Sequence, residues 1–150
     1  MAELHFEDLP AGAVFDLGTT VVDHDEMVAF SARFDPQPFH LDPVAGERVF
    51  GGLAASGWFT AGLWMRAYVD TLLSRADSLG SPGGDEISWP APVFAGDELH
   101  ARMEVLAARV SRSRPSMGLV TLLGTLERDG TCVFRSRFTG MFGVRAPQEP

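Results

Sequence analysis

The chain of 150 residues contains no lysine and a single cysteine. Without lysine, neither Schiff-base catalysis nor the lysine-bearing phosphate-binding loop is possible. Cys132 has no second cysteine with which to form an internal disulfide, and this favours a reducing compartment. We therefore expect a cytoplasmic protein and exclude a secreted one that depends on disulfides.

Long apolar runs are also missing. No run approaches the ~20 residues that a helix needs to cross a bilayer, so we expect no membrane span. The first eight residues are acidic and lack the basic and apolar regions of a secretory signal. With 45% hydrophobic and 21% charged residues, the composition is that of one globular domain spanning residues 1–150.

Basic residues are scarce. Twelve arginines face 20 acidic residues, which gives a net charge of -8. Phosphate backbones are bound through Lys and Arg, so this balance argues against nucleic acid as a partner. Eight of the arginines lie in residues 101–150, which contain only four acids. Such a cluster could hold a small polyanionic ligand, or it could form solvated strand faces.

The first third of the chain predicts a strand, a short helix and a loop. Residues 14–22 are rich in β-branched and aromatic residues, as in a strand. Asp23 and Asp25 can cap a helix that must end near Asp35, because Pro36 disfavours helical geometry in the residue before it. The two prolines that follow predict an extended, stiff loop from Asp35 to His40.

The rest of the chain predicts one long helix and then several strands. From Leu53 to about Ser74 the sequence is apolar nearly all round, as in a buried helix, and Gly51-Gly52 would open it. From Ile87 onward apolar and polar residues alternate, and Asp129-Gly130 is typical of a hairpin turn. We predict an α+β fold in which a curled antiparallel sheet wraps around one long central helix.

Asp35 and His40 form the most informative pair of side chains. A carboxylate beside an imidazole can hold one water from two sides, with the imidazole accepting its proton. Pro36 and Pro38 would fix the geometry of the pair. The alternative is structural, with Asp35 turning the chain and His40 packing beside Phe39.

The two glycines before the predicted helix are the second candidate element. A helix N-terminus has unpaired N–H groups and a positive dipole end, and glycine allows a ligand oxygen to come close. Such a site can stabilise an enolate oxygen. The alternative is close packing of helix on sheet, with Ser56 as a core hydroxyl.

Four segments together carry a resemblance to a known family. They are Phe34-Asp35-Pro36-Gln37-Pro38-Phe39-His40-Leu41-Asp42-Pro43, Phe50-Gly51-Gly52-Leu53-Ala54-Ala55-Ser56-Gly57-Trp58, Trp89 to Asp97 and Ser113 to Gly118. In this order and at these intervals, they resemble the MaoC-like dehydratase family, which includes (R)-specific enoyl-CoA hydratases. The similarity covers residues 14 to 143. This chain differs in having Phe59 where many relatives carry a histidine, and in a slightly shorter segment between His40 and Gly51.

The resemblance implies a hot-dog fold, a homodimer or higher oligomer, a 2-enoyl-CoA thioester substrate, and no cofactor or metal. It also implies a catalytic Asp35 and His40 and an oxyanion-binding N–H on the glycine that begins the central helix, taken as Gly51 or Gly52. Ser56 would lie near the site. Arg114, with Arg112, is the candidate for the coenzyme A phosphates.

Two other functions remain open at this level. A hot-dog thioesterase commonly brings a carboxylate on the central helix, yet this chain has no acid from Leu53 to Val69. A non-catalytic acyl-CoA-binding subunit would keep the fold and have no need of the Asp–His pair.

Overall fold

The computed structural model describes residues 1–145. Its strands are antiparallel and form one sheet in the order β1-β3-β4-β5-β2. The elements run β1 Val14–Val21, α1 His24–Phe34, α2 Pro38–Leu41, α3 Pro43–Phe50, α4 Gly57–Thr71, β2 Gly83–Ser88, β3 Glu98–Val110, β4 Met117–Arg128 and β5 Thr131–Gly143, with short 3-10 turns at Phe6–Asp8 and Leu73–Arg75. A long helix against one curled antiparallel sheet is the hot-dog arrangement, which confirms the predicted fold.

The alternation of residues along the strands places the core between sheet and helix. Alternate residues of β3, from Leu99 to Val105, are fully buried, and their neighbours face outward. The sheet approaches α4 closely at Gly124, where an added Cβ would lie 2.5 Å from the Trp64 ring. The Trp64 indole donates to the carbonyl of Arg102, 3.0 Å away. The sheet therefore wraps around α4 because its small and apolar residues point inward.

The local predictions around the first helix and the last hairpin are confirmed. The Asp23 side chain accepts the Glu26 N–H at 2.8 Å and caps α1, which ends at Phe34 before Pro36. Asp129 and Gly130 both have positive φ, as a two-residue hairpin turn requires.

The predicted start of the central helix is wrong. The helix begins at Gly57 and not at Leu53, because Ser56 caps it and the preceding residues lie along another segment. There the Ala55 N–H donates to the Val93 carbonyl, and Ala54 bridges to Phe94. Pairing with residues 93–94 thus holds residues 54–55 extended.

The segment between His40 and this helix is also more helical than predicted. Asp35 to His40 is not extended throughout, because Pro38 begins α2, and proline is favourable at the first helical position. Asp42 then caps α3. Gly51 ends α3 in the left-handed conformation, with φ +78°. No helix among residues 1–145 is long and apolar enough to cross a membrane.

Candidate active site

His40 lies on α2 and is almost completely buried, with 6% of its surface exposed. Its Nδ1 is 2.8 Å from the carbonyl oxygen of Ala54. A carbonyl can only accept, so Nδ1 carries the proton and donates it. The other nitrogen, Nε2, is 3.3 Å from Oδ2 of Asp35. In the neutral ring Nε2 is therefore free to accept a proton.

Asp35 ends α1, and its carboxylate is held on both oxygens. The Ser56 hydroxyl donates to Oδ2 at 2.8 Å, and the Gln37 side-chain amide donates to Oδ1 at 2.7 Å. The Gln37 hydrogen bond contributes most to lowering the pKa of Asp35 below 3.8; the Ser56 hydroxyl and His40 act in the same direction, and burial opposes them. Asp35 is therefore an ionised acceptor near neutral pH.

His40 of the dyad lines a cavity of about 410 Å³. His40 and Phe50 line one side, Gly57 and Thr60 of α4 another, and the residues from Trp89 to Val93 the third. The walls are mostly apolar, and an apolar wall strengthens electrostatic interactions inside the cavity.

Gly57 is the first residue of α4, and its N–H has no backbone acceptor among residues 1–145. The Trp89 indole donates to the Gly57 carbonyl at 2.8 Å and packs over the glycine, where an added Cβ would lie 2.6 Å from the ring. Only glycine fits here without a shift of Trp89. The helix thus presents a free N–H and its positive dipole end beside the dyad.

The structure brings three of the predicted site residues together: Asp35, His40 and Ser56. The prediction that Gly51 and Gly52 begin the central helix is wrong. The Gly51 N–H donates to the Glu47 carbonyl at 3.1 Å and that of Gly52 to the Gly46 carbonyl at 3.4 Å, so α3 already occupies both donors. The glycine that does begin the helix is Gly57, and the Ser56-Gly57 pair, a cap residue followed by a glycine, was the signal for it.

The structure does not bring Arg114 to the dyad. Arg114 and Arg112 lie in the turn between β3 and β4, where the Arg114 N–H donates to the Ser111 hydroxyl. The dyad cavity is lined by Trp89 to Val93, which precede β3 in the chain, and by no residue of the β3–β4 turn. Thirteen residues of strand span roughly 40 Å. Within one protomer, the prediction that Arg114 binds the coenzyme A phosphates is therefore not supported. Both arginines lie at the tip of the β3–β4 hairpin, away from the dyad.

A second, larger cavity of about 800 Å³ lies between the C-terminal half of α4 and strands β2 and β5. Five aromatic side chains line it beside glycines and serines, and its charged residues are in ion pairs, Asp85 with Arg137 inside the cavity and Glu86 with Arg135 outside it. Asp70, the acid nearest the end of α4, pairs with Arg66 at 2.7 Å. No unpaired carboxylate therefore lies on the central helix, as a thioesterase of this fold would use. Among residues 1–145, no three His, Cys, Asp or Glu side chains cluster as metal ligands.

The geometry can activate one water. His40 Nε2 can take a proton from the water, and Asp35 Oδ2 can orient that water. The N–H of Gly57 can stabilise negative charge that develops on a nearby oxygen. Addition of water to a conjugated carbonyl compound, or removal of water from a 3-hydroxy carbonyl compound, needs these three functions.

Residues 9–127 of the chain match the family model described as the MaoC like domain. The chain is 40% identical to the MaoC-like dehydratase from Rhodospirillum rubrum, covering 95% of this chain and 99% of that one with a TM-score of 0.84. It is 25% identical to the (R)-hydratase from A. caviae involved in PHA biosynthesis, over 89% and 97% of the two chains, with a TM-score of 0.70. It is also 26% identical to the uncharacterized protein YdeM of Bacillus subtilis, over 91% and 96%.

Proposed function

The chain belongs to the MaoC-like domain family, and from this membership and the geometry of the site we propose that it is a hydratase or dehydratase acting on an acyl-CoA thioester. The observation that carries the proposal is the pairing of His40 Nε2 with Asp35 Oδ2, 3.3 Å apart, at a cavity that also contains the N-terminus of α4. The similarity to a dehydratase and to an (R)-hydratase supports the reaction class.

In the proposed mechanism, Asp35 and His40 hold a water at the β-carbon of a 2-enoyl thioester. As the water oxygen bonds to that carbon, its proton passes to His40 Nε2 and the π electrons move to the thioester oxygen. The N–H of Gly57 and the helix dipole stabilise the resulting enolate. The α-carbon then takes a proton from the imidazolium, which returns the dyad to its starting state. Dehydration follows the same path in reverse.

We further propose that the chain forms a homodimer through the free edge of β2. This strand ends the sheet, and its Ile87 is exposed, as is Met65 of α4 on the same cavity wall. Pairing an open sheet edge across a two-fold axis is a common way to satisfy its free backbone groups. Light scattering should give twice the chain mass of 16.2 kDa; a monomer mass would contradict the dimer.

The experiment that tests the function mixes purified protein with short, branched and longer 2-enoyl-CoA thioesters. Ultraviolet absorbance reports the enoyl group, and a thiol reagent reports hydrolysis of the thioester. Loss of enoyl absorbance without thiol release supports hydration. Thiol release would indicate a thioesterase, and silence across the panel would favour a non-catalytic acyl-CoA-binding subunit. We propose a cytoplasmic location because the single cysteine has no partner for an internal disulfide.

A further inference from the structure

Gln37 contacts both members of the dyad, although it is not part of it. Its side-chain amide donates to Asp35 Oδ1 at 2.7 Å. Its carbonyl accepts the backbone N–H of His40 at 3.0 Å, and its own N–H donates to the Asp35 carbonyl at 2.8 Å. One residue therefore connects the end of α1, which bears the carboxylate, to the start of α2, which bears the imidazole.

The neighbouring residues leave Gln37 little freedom. Pro36 and Pro38 flank it, each with a fixed φ. Gln37 itself has φ -82° and ψ 142° and caps α2 without using its side chain. The amide is therefore available for the carboxylate, and the backbone directs it there.

The amide completes the set of donors around Asp35. Ser56 and His40 both face Oδ2, and Gln37 occupies Oδ1. The Asp35 side chain is 17% exposed, whereas Gln37 is exposed, so water reaches this hydrogen bond from the Gln37 side. Donors on both oxygens stabilise the ionised carboxylate and oppose its protonation.

We propose that Gln37 is a positioning residue that holds Asp35 as an ionised acceptor, so that the proton of the reacting water goes to His40. This assignment rests on the proposed hydratase function and gives the two members of the dyad separate roles: Asp35 orients the water, and His40 carries the proton.

The pKa of Asp35 points the same way. The Gln37 hydrogen bond is the largest of the causes that lower the pKa of Asp35. Loss of that donor should therefore raise the pKa of Asp35, and a carboxylate in its place should raise it further, because two like charges would then face each other.

The test compares the Asp35 titration, followed by carboxyl carbon NMR, in the wild type, Gln37→Met and Gln37→Glu. Methionine is close in length to glutamine and donates no hydrogen bond. Val44→Glu is the matched control, because it adds the same charge at an exposed position of α3. Thermal unfolding of all four proteins shows whether each is folded, as expected for substitutions of exposed side chains.

We expect the midpoint of the Asp35 titration to rise in Gln37→Met, to rise more in Gln37→Glu and to stay in place in Val44→Glu. An unchanged midpoint in Gln37→Met would overturn the proposal, even if Gln37→Glu moved it, since charge alone would then explain the shift.

A second readout is the pH profile of kcat/KM with the enoyl thioester that is turned over best. At the acidic end of the profile, the kcat/KM of Gln37→Met should be about tenfold lower than that of the wild type. Near neutral pH the loss in kcat/KM should be much smaller. An equal loss at every pH would indicate a merely structural role and contradict the proposal. If no thioester is hydrated, the proposed function fails, while the NMR titration still decides whether Gln37 controls Asp35.

Discussion

The two cavities beside α4 differ in both size and chemistry. The cavity of about 410 Å³ at the N-terminal end of the helix is lined by His40 and Gly57, while the cavity of about 800 Å³ along its C-terminal half is lined by aromatic, small and charged residues. In the larger cavity the charged groups neutralise one another in ion pairs. In the smaller one, a proton acceptor and an unpaired N–H line the same space. The proposed active site is therefore distinguished by its chemistry and not by its volume.

The largest effect should come from the dyad itself. His40→Ala removes the proton acceptor, and Asp35→Asn replaces the ionised carboxylate with a neutral amide. Because positioned acid–base groups contribute 10²–10⁴-fold to rates, we expect each variant to lose about 10³-fold in kcat. Enoyl-CoA hydration measured by absorbance tests this, with circular dichroism as the check on folding. Near wild-type rates in either folded variant would contradict the proposed active site at the smaller cavity.

The next effect should appear at the first residue of α4. Gly57→Ala places a Cβ 2.6 Å from Trp89, so the indole or the helix start must move and the N–H of Gly57 with it. We expect about a 10²-fold loss in kcat, the scale seen when one oxyanion donor is lost. Gly62→Ala is the matched control, because the added Cβ meets no atom within 4 Å in the same helix. That variant should keep its activity and gain about 0.5–1 kcal/mol of stability; equal losses in both would contradict the role of Gly57.

A smaller effect should follow from the loss of the Ser56 hydroxyl. Ser56→Ala removes one donor to Asp35 Oδ2 and the cap on the Trp58 N–H. We expect about 1 kcal/mol less stability and roughly a tenfold loss in kcat, as for one hydrogen bond to a charged group. Asp23→Ala removes the cap of α1, away from the dyad, and should cost similar stability without loss of kcat. Denaturant unfolding and turnover, measured on both variants, separate the two consequences of the Ser56 change.

The smallest effect should come from the larger cavity. Tyr68 lines it and is 3% exposed; burial raises the pKa of its phenol, which therefore stays protonated. Tyr68→Phe removes only the hydroxyl. We expect kcat for a short enoyl-CoA to change less than about twofold and stability by less than about 1 kcal/mol. A loss in kcat comparable to that of the dyad variants would show that the reaction depends on the larger cavity.

The fold could be predicted from the sequence because its signals are local and repeated. Alternation along β3, the proline after Asp35 and the Asp129-Gly130 turn each act over a few residues. The pairing of Asp35 with His40 was predictable for the same reason, since only four residues lie between them and two of these are prolines. These elements depend on backbone sterics and on burial, and both can be recognised in short stretches of sequence.

The start of α4 was predicted too early, because contacts with distant residues decide which part of this segment is helical. Residues 54 and 55 are apolar enough for a helix, yet hydrogen bonds to Val93 and Phe94 keep them extended. The misplaced helix start put the predicted oxyanion role on Gly51 and Gly52, whereas the helix begins at Gly57. The distance between Arg114 and the dyad within one protomer depends on the path of the β3–β4 hairpin, which the local sequence does not express. Gln37 was overlooked because its exposed amide has no hydrophobic pattern to reveal it.

The proposed addition of water to the β-carbon of a thioester at the Asp35–His40 dyad can be measured directly. The products formed from a 2-enoyl-CoA in ¹⁸O-labelled water are analysed by mass spectrometry, with the wild type and with His40→Ala. We expect one ¹⁸O at the 3-hydroxyl of an intact acyl-CoA with the wild type, and label at the background level with His40→Ala. Label in a released carboxylic acid, or equal labelling by both proteins, would contradict the proposal.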